Sequence, residues 1–304
     1  MDNFKSILLY EGGDAAPGPA LDRGTSLAKA NDARLTLVDV LPDSPWLLPS
    51  RSDLEGRLID ARRDDLEELA ASAREHGIDV EVRVLTGRPF VELIREVHGR
   101  GHDLVMKTAQ GSQDGREGLM GSTALHLFRK CPCPVWVVKP GEPTAGRVVA
   151  AIDPDPDDPA GDVLSRTVLE LALSLARSRD SELEIIHAWR LVSESMLRSP
   201  RLNVPSEQID ALLDETRERA EAVVRGLVET VDLSTVRHRV TIAEGLPAGV
   251  ISRATEAADI AVLGTLSRAG LAGVLIGNTA EQVLRRVDCS VLAVKPPGFK
   301  SPVT

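Results

Sequence analysis

The chain is poor in aromatic residues, with four Phe, three Trp and one Tyr among 304 positions. Its cores must therefore be built from Val, Leu, Ile and Ala, which supply most of the 42% hydrophobic content. Cysteine is also scarce. Three cysteines, an odd number in a long chain, do not make a disulfide framework and point to a reducing compartment. Positive charge is in deficit: 36 Lys and Arg against 46 Asp and Glu leave a net charge of −10. That balance argues against nucleic acid as the main partner, because phosphate-backbone binding needs a basic surface. It leaves room for a small anion in a locally positive pocket. No apolar run approaches the roughly 20 residues that span a bilayer. The opening Met1-Asp-Asn-Phe-Lys5 has no basic leader followed by a long apolar run. The expectation is a soluble, cytoplasmic protein without a membrane partner.

What the chain does have is an internal repeat. Asp103-Leu-Val-Met aligns with Asp259-Ile-Ala-Val at an offset of 156 residues, and Gly121-Ser-Thr-Ala aligns with Gly277-Asn-Thr-Ala. Arg129 to Pro140 aligns with Arg285 to Pro296 without a gap. The period is far beyond the roughly 20–50 residues of solenoids and propellers. It is the length of a domain, and 304 residues suffice for two domains that each bury a core.

Each half reads as strands alternating with helices. In the first half the strands fall at Ser6–Tyr10, Arg34–Val40, Val80–Leu85, Leu104–Met106 and Val135–Val138. Helices are expected over Ala20–Ala30, Asp53–His76, from Pro89 to about Val97, and over Ser122–Lys130. The second half repeats the order. Its strands are Arg147–Ile152, Glu182–Trp189, Val236–Ile242, Ile260–Leu263 and Val291–Val294, and its helices Asp162–Ser178, Ser206–Thr230, Pro247–Ala257 and Thr279–Arg286. The Pro- and Gly-rich stretch Pro140–Gly146 reads as the linker, which puts the domains at 1–140 and 147–304 with 141–146 between them. Short apolar strands alternating with helices imply an α/β fold with a parallel sheet covered on both faces. Such sheets take ligands beyond the carboxyl ends of their strands, where the strand order reverses.

The loop after the fourth strand of the second half runs from Gly264 through Gly277-Asn278-Thr279-Ala280 and is built from glycine and small residues. Small residues let the backbone approach an anion, and Gly277 opens a helix whose free N–H groups favour phosphate. Asn278 or Thr279 either caps that helix or bonds a phosphate oxygen. Asp153 follows the first strand of the same half and is an acceptor suited to ribose hydroxyls.

These residues resemble the universal stress protein family, in its tandem, E-type form with two such domains on one chain. The family pattern is Gly, two residues, Gly, nine residues, Gly, then Ser or Thr. In this chain it becomes Gly264-x-x-Ser267, nine residues, Gly277-Asn278, so that Ser267 replaces a glycine and Asn278 a hydroxyl residue. The resemblance implies two doubly wound five-stranded sheets of order 3-2-1-4-5, with a crevice between the first and fourth strands flanked by Asp153 and Gly264. It further implies ATP or a related adenine nucleotide as a regulatory ligand. Ala151, Ile152 and Ala188 would line the adenine side, and Leu263, Gly264, Ser267, Gly277, Asn278, Thr279 and Ala280 would wrap the ribose and phosphates. In the family the fifth strands of two domains pair antiparallel. The two copies of Val-x-x-Val-Lys-Pro, ending at Pro140 and Pro296, imply the same pairing within this chain, a pseudo-two-fold arrangement that leaves a further homodimer open.

The first half departs from the pattern. It reads Thr108-x-x-Gly111, nine residues, Gly121-Ser122, and the position equivalent to Asp153 is Gly12 beside Glu11. Asp114, Arg116 and Glu117 also make its loop more polar. A degenerate, mainly structural domain is expected there, with Lys107 as a solvated lysine rather than one that reaches an anion. Cys131, Cys133, His98 and His102 invite a zinc site, but Cys133 and Cys289 are repeat equivalents and read as small buried residues. His187 reads either as a neighbour of a ligand base or as a hydrogen-bonded interior histidine. The Asp-rich run 153–158 suggests Mg²⁺, yet only Asp153 sits on a strand end. The partly apolar connections Pro45–Pro49 and Ala188–Arg198 read as ordinary packing, as a cover over a crevice, or as a groove for an apolar ligand. No nucleophile elbow, zincin helix or Walker loop is present, so a dedicated enzyme is not expected. The alternatives to a nucleotide-regulated protein are an interaction protein with vestigial or amphipathic-metabolite-binding crevices, and a slow ATPase.

Overall fold

The fold is that of a computed structural model, which describes residues 4–12, 18–43, 52–109, 121–141, 146–266 and 277–303. These fall into two compact units, one holding the described residues up to 141 together with 290–303, the other 146–266 and 277–289.

In the first unit the strands are β1 (Ser6–Tyr10), β2 (Arg34–Leu41), β3 (Val80–Thr86), β4 (Leu104–Thr108) and β5 (Val135–Val138). They pair in the order β3-β2-β1-β4-β5, all parallel. Every residue of β1 and β5 is buried, as expected of near-continuous apolar strands covered on both faces. The helices are α1 (Pro19–Asn31), α2 (Ser52–Glu75), α3 (Pro89–Arg100) and α4 (Gly121–Lys130). Pro19 and Pro89 open α1 and α3, where a missing N–H carries no penalty. Gly101 ends α3 in the left-handed conformation (φ 70°), with its N–H bonded back to Val97.

The second unit holds β6 (Arg147–Ala151), α5 (Pro159–Ser178), β7 (Glu182–Trp189), α6 (Glu194–Leu197), α7 (Ser206–Val228), β8 (His238–Glu244), α8 (Pro247–Ala254), β9 (Ile260–Gly264) and α9 (Asn278–Leu284). Its strands run β8-β7-β6-β9, again parallel. The last strand, β10 (Ser290–Val294), belongs by its contacts to the first unit. There it pairs antiparallel with β5, with Leu292 opposite Trp136, so the two fifth strands meet as the resemblance implies.

The repeat has a shared physical anchor. Asp103 takes the N–H groups of Lys5 and Ser6 on its carboxylate at 2.7 and 3.1 Å, and its own N–H donates to Ser6 O at 2.9 Å. Asp259 takes the Arg147 N–H at 3.1 Å and donates to Arg147 O at 2.9 Å. In both halves this aspartate ties the start of the fourth strand to the start of the first.

Several element ends differ from the expected ones, each for a local reason. Helix α5 starts at Pro159, three residues earlier than the apolar spacing indicates, because Asp158 caps it by accepting the Gly161 N–H at 3.2 Å. Strand β8 starts at His238 because Val236 closes a turn onto Leu233 O. The helical turn α6 was not expected from the sequence. It lies in the connection after β7, where Leu197 N–H returns to Ser193 O at 2.9 Å.

Candidate functional site

Strand order reverses between β6 and β9, the point where a parallel sheet opens a crevice at its carboxyl edge. The register places Ala151 opposite Leu263, so the residues that follow, Ile152-Asp153 and Gly264, end the two strands side by side. Ile152 is buried and extends the ladder by donating its N–H to Ile186 O at 3.0 Å. The chain then turns outward. The Asp153 N–H is held by the hydroxyl of Ser165, a buried residue of α5, at 3.1 Å, while the Asp153 side chain is 64% exposed. A fixed backbone with a solvent-facing carboxylate is what a hydrogen-bond acceptor for a hydroxyl-bearing ligand requires.

His187 of β7 stands behind this carboxylate. It is buried, its Nδ1 lies 3.2 Å from Ile152 O, and the same nitrogen is 3.9 Å from Asp153 Oδ1. The carbonyl can only accept, so Nδ1 carries the proton and the tautomer is set by the backbone. This is the hydrogen-bonded interior histidine of the two readings. The next residue, Ala188, is half-buried at the same strand end.

On the other side of the crevice, Leu263 is buried and Gly264 is half-buried. A Cβ on Gly264 would lie 2.6 Å from Leu164 Cδ2, so this glycine lets α5 approach the end of β9. Ser267 lies outside the described residues. Gly277 is buried and precedes α9 with φ −56°, a conformation any residue adopts. Asn278 is exposed and its Oδ1 accepts from Gln282 Nε2 at 3.3 Å, while Thr279 is half-buried and Ala280 buried. The remaining aspartates of the 153–158 run have structural partners. Asp155 takes the Asp157 N–H, Asp157 pairs with Arg219 at 2.7 Å, and Asp158 caps α5. Among the described residues no group of three or more His, Cys, Asp or Glu converges as a metal site.

The corresponding edge of the first unit is built differently. A Cβ on Gly12 would lie 2.1 Å from the Tyr10 ring, so the phenol covers the place that Asp153 takes in the second half. Beside it lies a charged cluster that sequence reasoning missed. Lys107 is only 2% exposed, against the expected solvated lysine, and its Nζ donates to Thr108 O. Glu11 and Asp39 are buried as well. Arg62 of α2 spans the group, with Nε 2.6 Å from Asp39 Oδ2 and Nη2 2.8 Å from Glu11 O. Burial pushes the Glu11 carboxyl up to about 7, with the Gly18 N–H, Arg62 and Lys107 pulling the other way. Burial likewise lowers Lys107 to about 8, opposed by Glu11, and raises Tyr10 to about 12, with Asp39 adding to the rise. The available signal was Lys107 directly after the apolar run Leu104-Val-Met, in register with Tyr10. Gly111, Asp114, Arg116 and Glu117, like the Pro45–Pro49 segment, lie outside the described residues.

Elsewhere Cys133 and Cys289 are buried, as the repeat suggests; Cys131 is buried as well, and the Cys131 and Cys133 sulfurs sit 3.5 Å apart. His102 is buried against Ser6, with Nδ1 2.9 Å from its hydroxyl, and burial lowers it to about 4. Among the described residues no helix is long and apolar enough to cross a membrane.

Comparison with known proteins gives one consistent result. The sequence pattern described as "Universal stress protein family" matches residues 3–139 and again 145–295. Universal stress protein E of Photorhabdus laumondii is 30% identical over 319 aligned positions, covering 100% of this chain and 98% of that protein. The Salmonella typhi protein of the same name is 30% identical over 259 positions, covering 83% of this chain and 80% of its own length. Among solved structures, a putative universal stress protein from Pseudomonas aeruginosa superposes with a TM-score of 0.73 at 26% identity, covering 98% of this chain and 95% of its own. A universal stress protein from Archaeoglobus fulgidus shares the fold with a TM-score of 0.64 at 19% identity, covering 95% of this chain and 98% of its own.

Proposed function

The chain belongs to the universal stress protein family, and from that premise we propose that its second half binds ATP or a related adenine nucleotide as a regulatory ligand. The observation that carries this reading is the exposed Asp153 carboxylate on a backbone pinned by Ser165, at the point where strand order reverses. Asp153 would accept the ribose hydroxyls. Ala151, Ile152 and Ala188 would border the base, and Leu263, Gly264, Ser267 and Gly277 to Ala280 would border the ribose and phosphates. The described carboxylates do not form a protein-built Mg²⁺ site, since the neighbours of Asp153 are committed to turn, cap and ion pair. Mg²⁺ would therefore arrive on the nucleotide's phosphates. On this reading the family domains would be 1–140 and 147–304, and β5–β10 pairing would let one chain serve as its own dimer. The compartment consistent with this composition is the cytoplasm.

Calorimetric titration of the purified chain with ATP and Mg²⁺ tests the proposal. Saturable binding that weakens in Asp153→Asn supports it, and no saturable heat would sink it.

A second reading is favoured by two particulars: packing against Leu164 accounts for Gly264 without a ligand, and the Asn278 amide is engaged by Gln282. On that reading the protein acts through interactions, with its crevice vestigial or holding an amphipathic metabolite. Native mass spectrometry of gently purified chain separates the two, because a retained adenine nucleotide contradicts the second.

A further inference from the structure

The two units place different chemistry at the same two positions of the fold. Glu11 N–H donates to Val38 O at 2.9 Å, and Ile152 N–H donates to Ile186 O at 3.0 Å. Tyr10 is opposite Lys107, and Ala151 is opposite Leu263. By both criteria Glu11 corresponds to Ile152 and Lys107 to Leu263. All four are buried. The first unit thus holds a carboxylate and an ammonium where the second holds two aliphatic side chains. Buried charges are not in themselves a stability device, since well-packed apolar residues at such positions are commonly as stable or more so.

The surroundings of Glu11 show what the charges permit. Glu11 is 9% exposed, and its Oε1 has no hydrogen-bond partner among the described residues. The described groups that face the carboxyl are Lys107 from β4, Arg62 from α2, Asp39 from β2 and the Gly18 N–H before α1. Two cations and two carboxylates balance when all are charged. An oxygen buried without a donor disfavours the charged carboxylate, and the nearby Asp39 disfavours it further. Protonation of Glu11 relieves both, and leaves Lys107 and Arg62 with one negative charge between them.

We propose that Glu11 and Lys107 form a proton-responsive pair, which takes up one proton on mild acidification and turns the strand ends of the first unit from balanced to net positive. The second unit has the aliphatic Ile152 and Leu263 at these two positions. The first half is then a pH-responsive copy of the fold beside a copy proposed to bind nucleotide, and its charged cluster has a use that a purely structural domain would not need. This inference is independent of nucleotide binding.

Carboxyl-carbon NMR of the full chain, labelled at the glutamate side chains and titrated between pH 4 and 9, tests it. One carboxyl should titrate with a midpoint near 7. That resonance should vanish in Glu11→Gln and move to a higher midpoint in Lys107→Met, where the facing ammonium is gone. The double variant Glu11→Ile/Lys107→Leu copies the pair of the second unit, so it keeps the test available if the single variants fail to fold. It should also lack the transition. Wild-type protein in which every glutamate titrates near 4.5, or a neutral transition that survives replacement of Glu11, overturns the proposal. A midpoint unchanged in Lys107→Met overturns the pairing.

Discussion

The N–H of Asp153 donates to the hydroxyl of Ser165 at 3.1 Å, so a helix side chain fixes the direction in which the β6 strand end leaves the sheet. Replacing Ser165 with Ala leaves that N–H without its acceptor, a loss of about 1–3 kcal/mol. Ser165→Ala should lower stability by that order and weaken ATP a few-fold, while Ser165→Thr, which keeps the hydroxyl, restores both. Urea denaturation and ATP titration of the two variants check this. Equal affinity in Ser165→Ala and wild type would separate the anchor from the site.

Gly264 should behave as a packing glycine. Its added Cβ would sit 2.6 Å from Leu164 Cδ2, so Gly264→Ala forces Leu164 to move. Overpacking of this kind costs about 1–3 kcal/mol. Shortening the neighbour in Gly264→Ala/Leu164→Val should recover much of the loss, giving a favourable coupling in a double-mutant cycle. Additive effects would mean that the two residues do not meet in solution.

The charged cluster predicts a stability minimum. The folded pKa of Glu11, about 7, lies above its ordinary 4.5, so its stabilising contribution is complete below 4.5 and lost as pH rises through 7. Lys107 is depressed to about 8 from 10.5, so its contribution is present above 10.5 and lost as pH falls through 8. Both contributions are absent between about 7 and 8. Urea midpoints of wild type should therefore dip in that window, on the order of 3 kcal/mol below the stability at pH 4.5 from the Glu11 shift taken alone. The Glu11→Ile/Lys107→Leu variant should show a shallower profile. A dip of the same depth in the variant would locate its origin elsewhere.

The aspartate anchors should be equivalent. Asp103 accepts the backbone N–H groups of Lys5 and Ser6, and Asp259 accepts that of Arg147. Asp103→Ala should destabilise its unit by about 3–6 kcal/mol, at about 1.5–3 kcal/mol per charge-assisted bond. Asp259→Ala should destabilise the second unit as well, and thermal denaturation of both variants measures the losses. A variant of either aspartate as stable as wild type would contradict this account of the repeat.

Much of the architecture was readable because it depends on local signals. Strands such as Ser6–Tyr10 are continuous apolar runs, Pro19 and Pro89 mark helix starts, and the aligned Asp103 and Asp259 mark the repeat. Topology alone indicated that Asp153 and Gly264 end neighbouring strands, as they do. What escaped depends on residues far apart in sequence. The role of Ser165 appears only once α5 packs on β6, and the burial of Lys107 beside Glu11 only once β4 pairs with β1. Gly264, read from its loop as an anion-binding glycine, also has a neighbour in Leu164 that no local pattern reveals.

Binding stoichiometry tests the central claim most directly. Equilibrium dialysis of the full chain against labelled ATP with Mg²⁺ should give one nucleotide per chain. Replacing Asp153 by Asn removes a charged acceptor of about 1.5–3 kcal/mol, which corresponds to a roughly 10- to 100-fold loss of affinity. Glu11→Ile/Lys107→Leu should leave that binding intact. Absence of saturable binding, two nucleotides per chain, or an Asp153→Asn variant that binds as wild type would contradict the account.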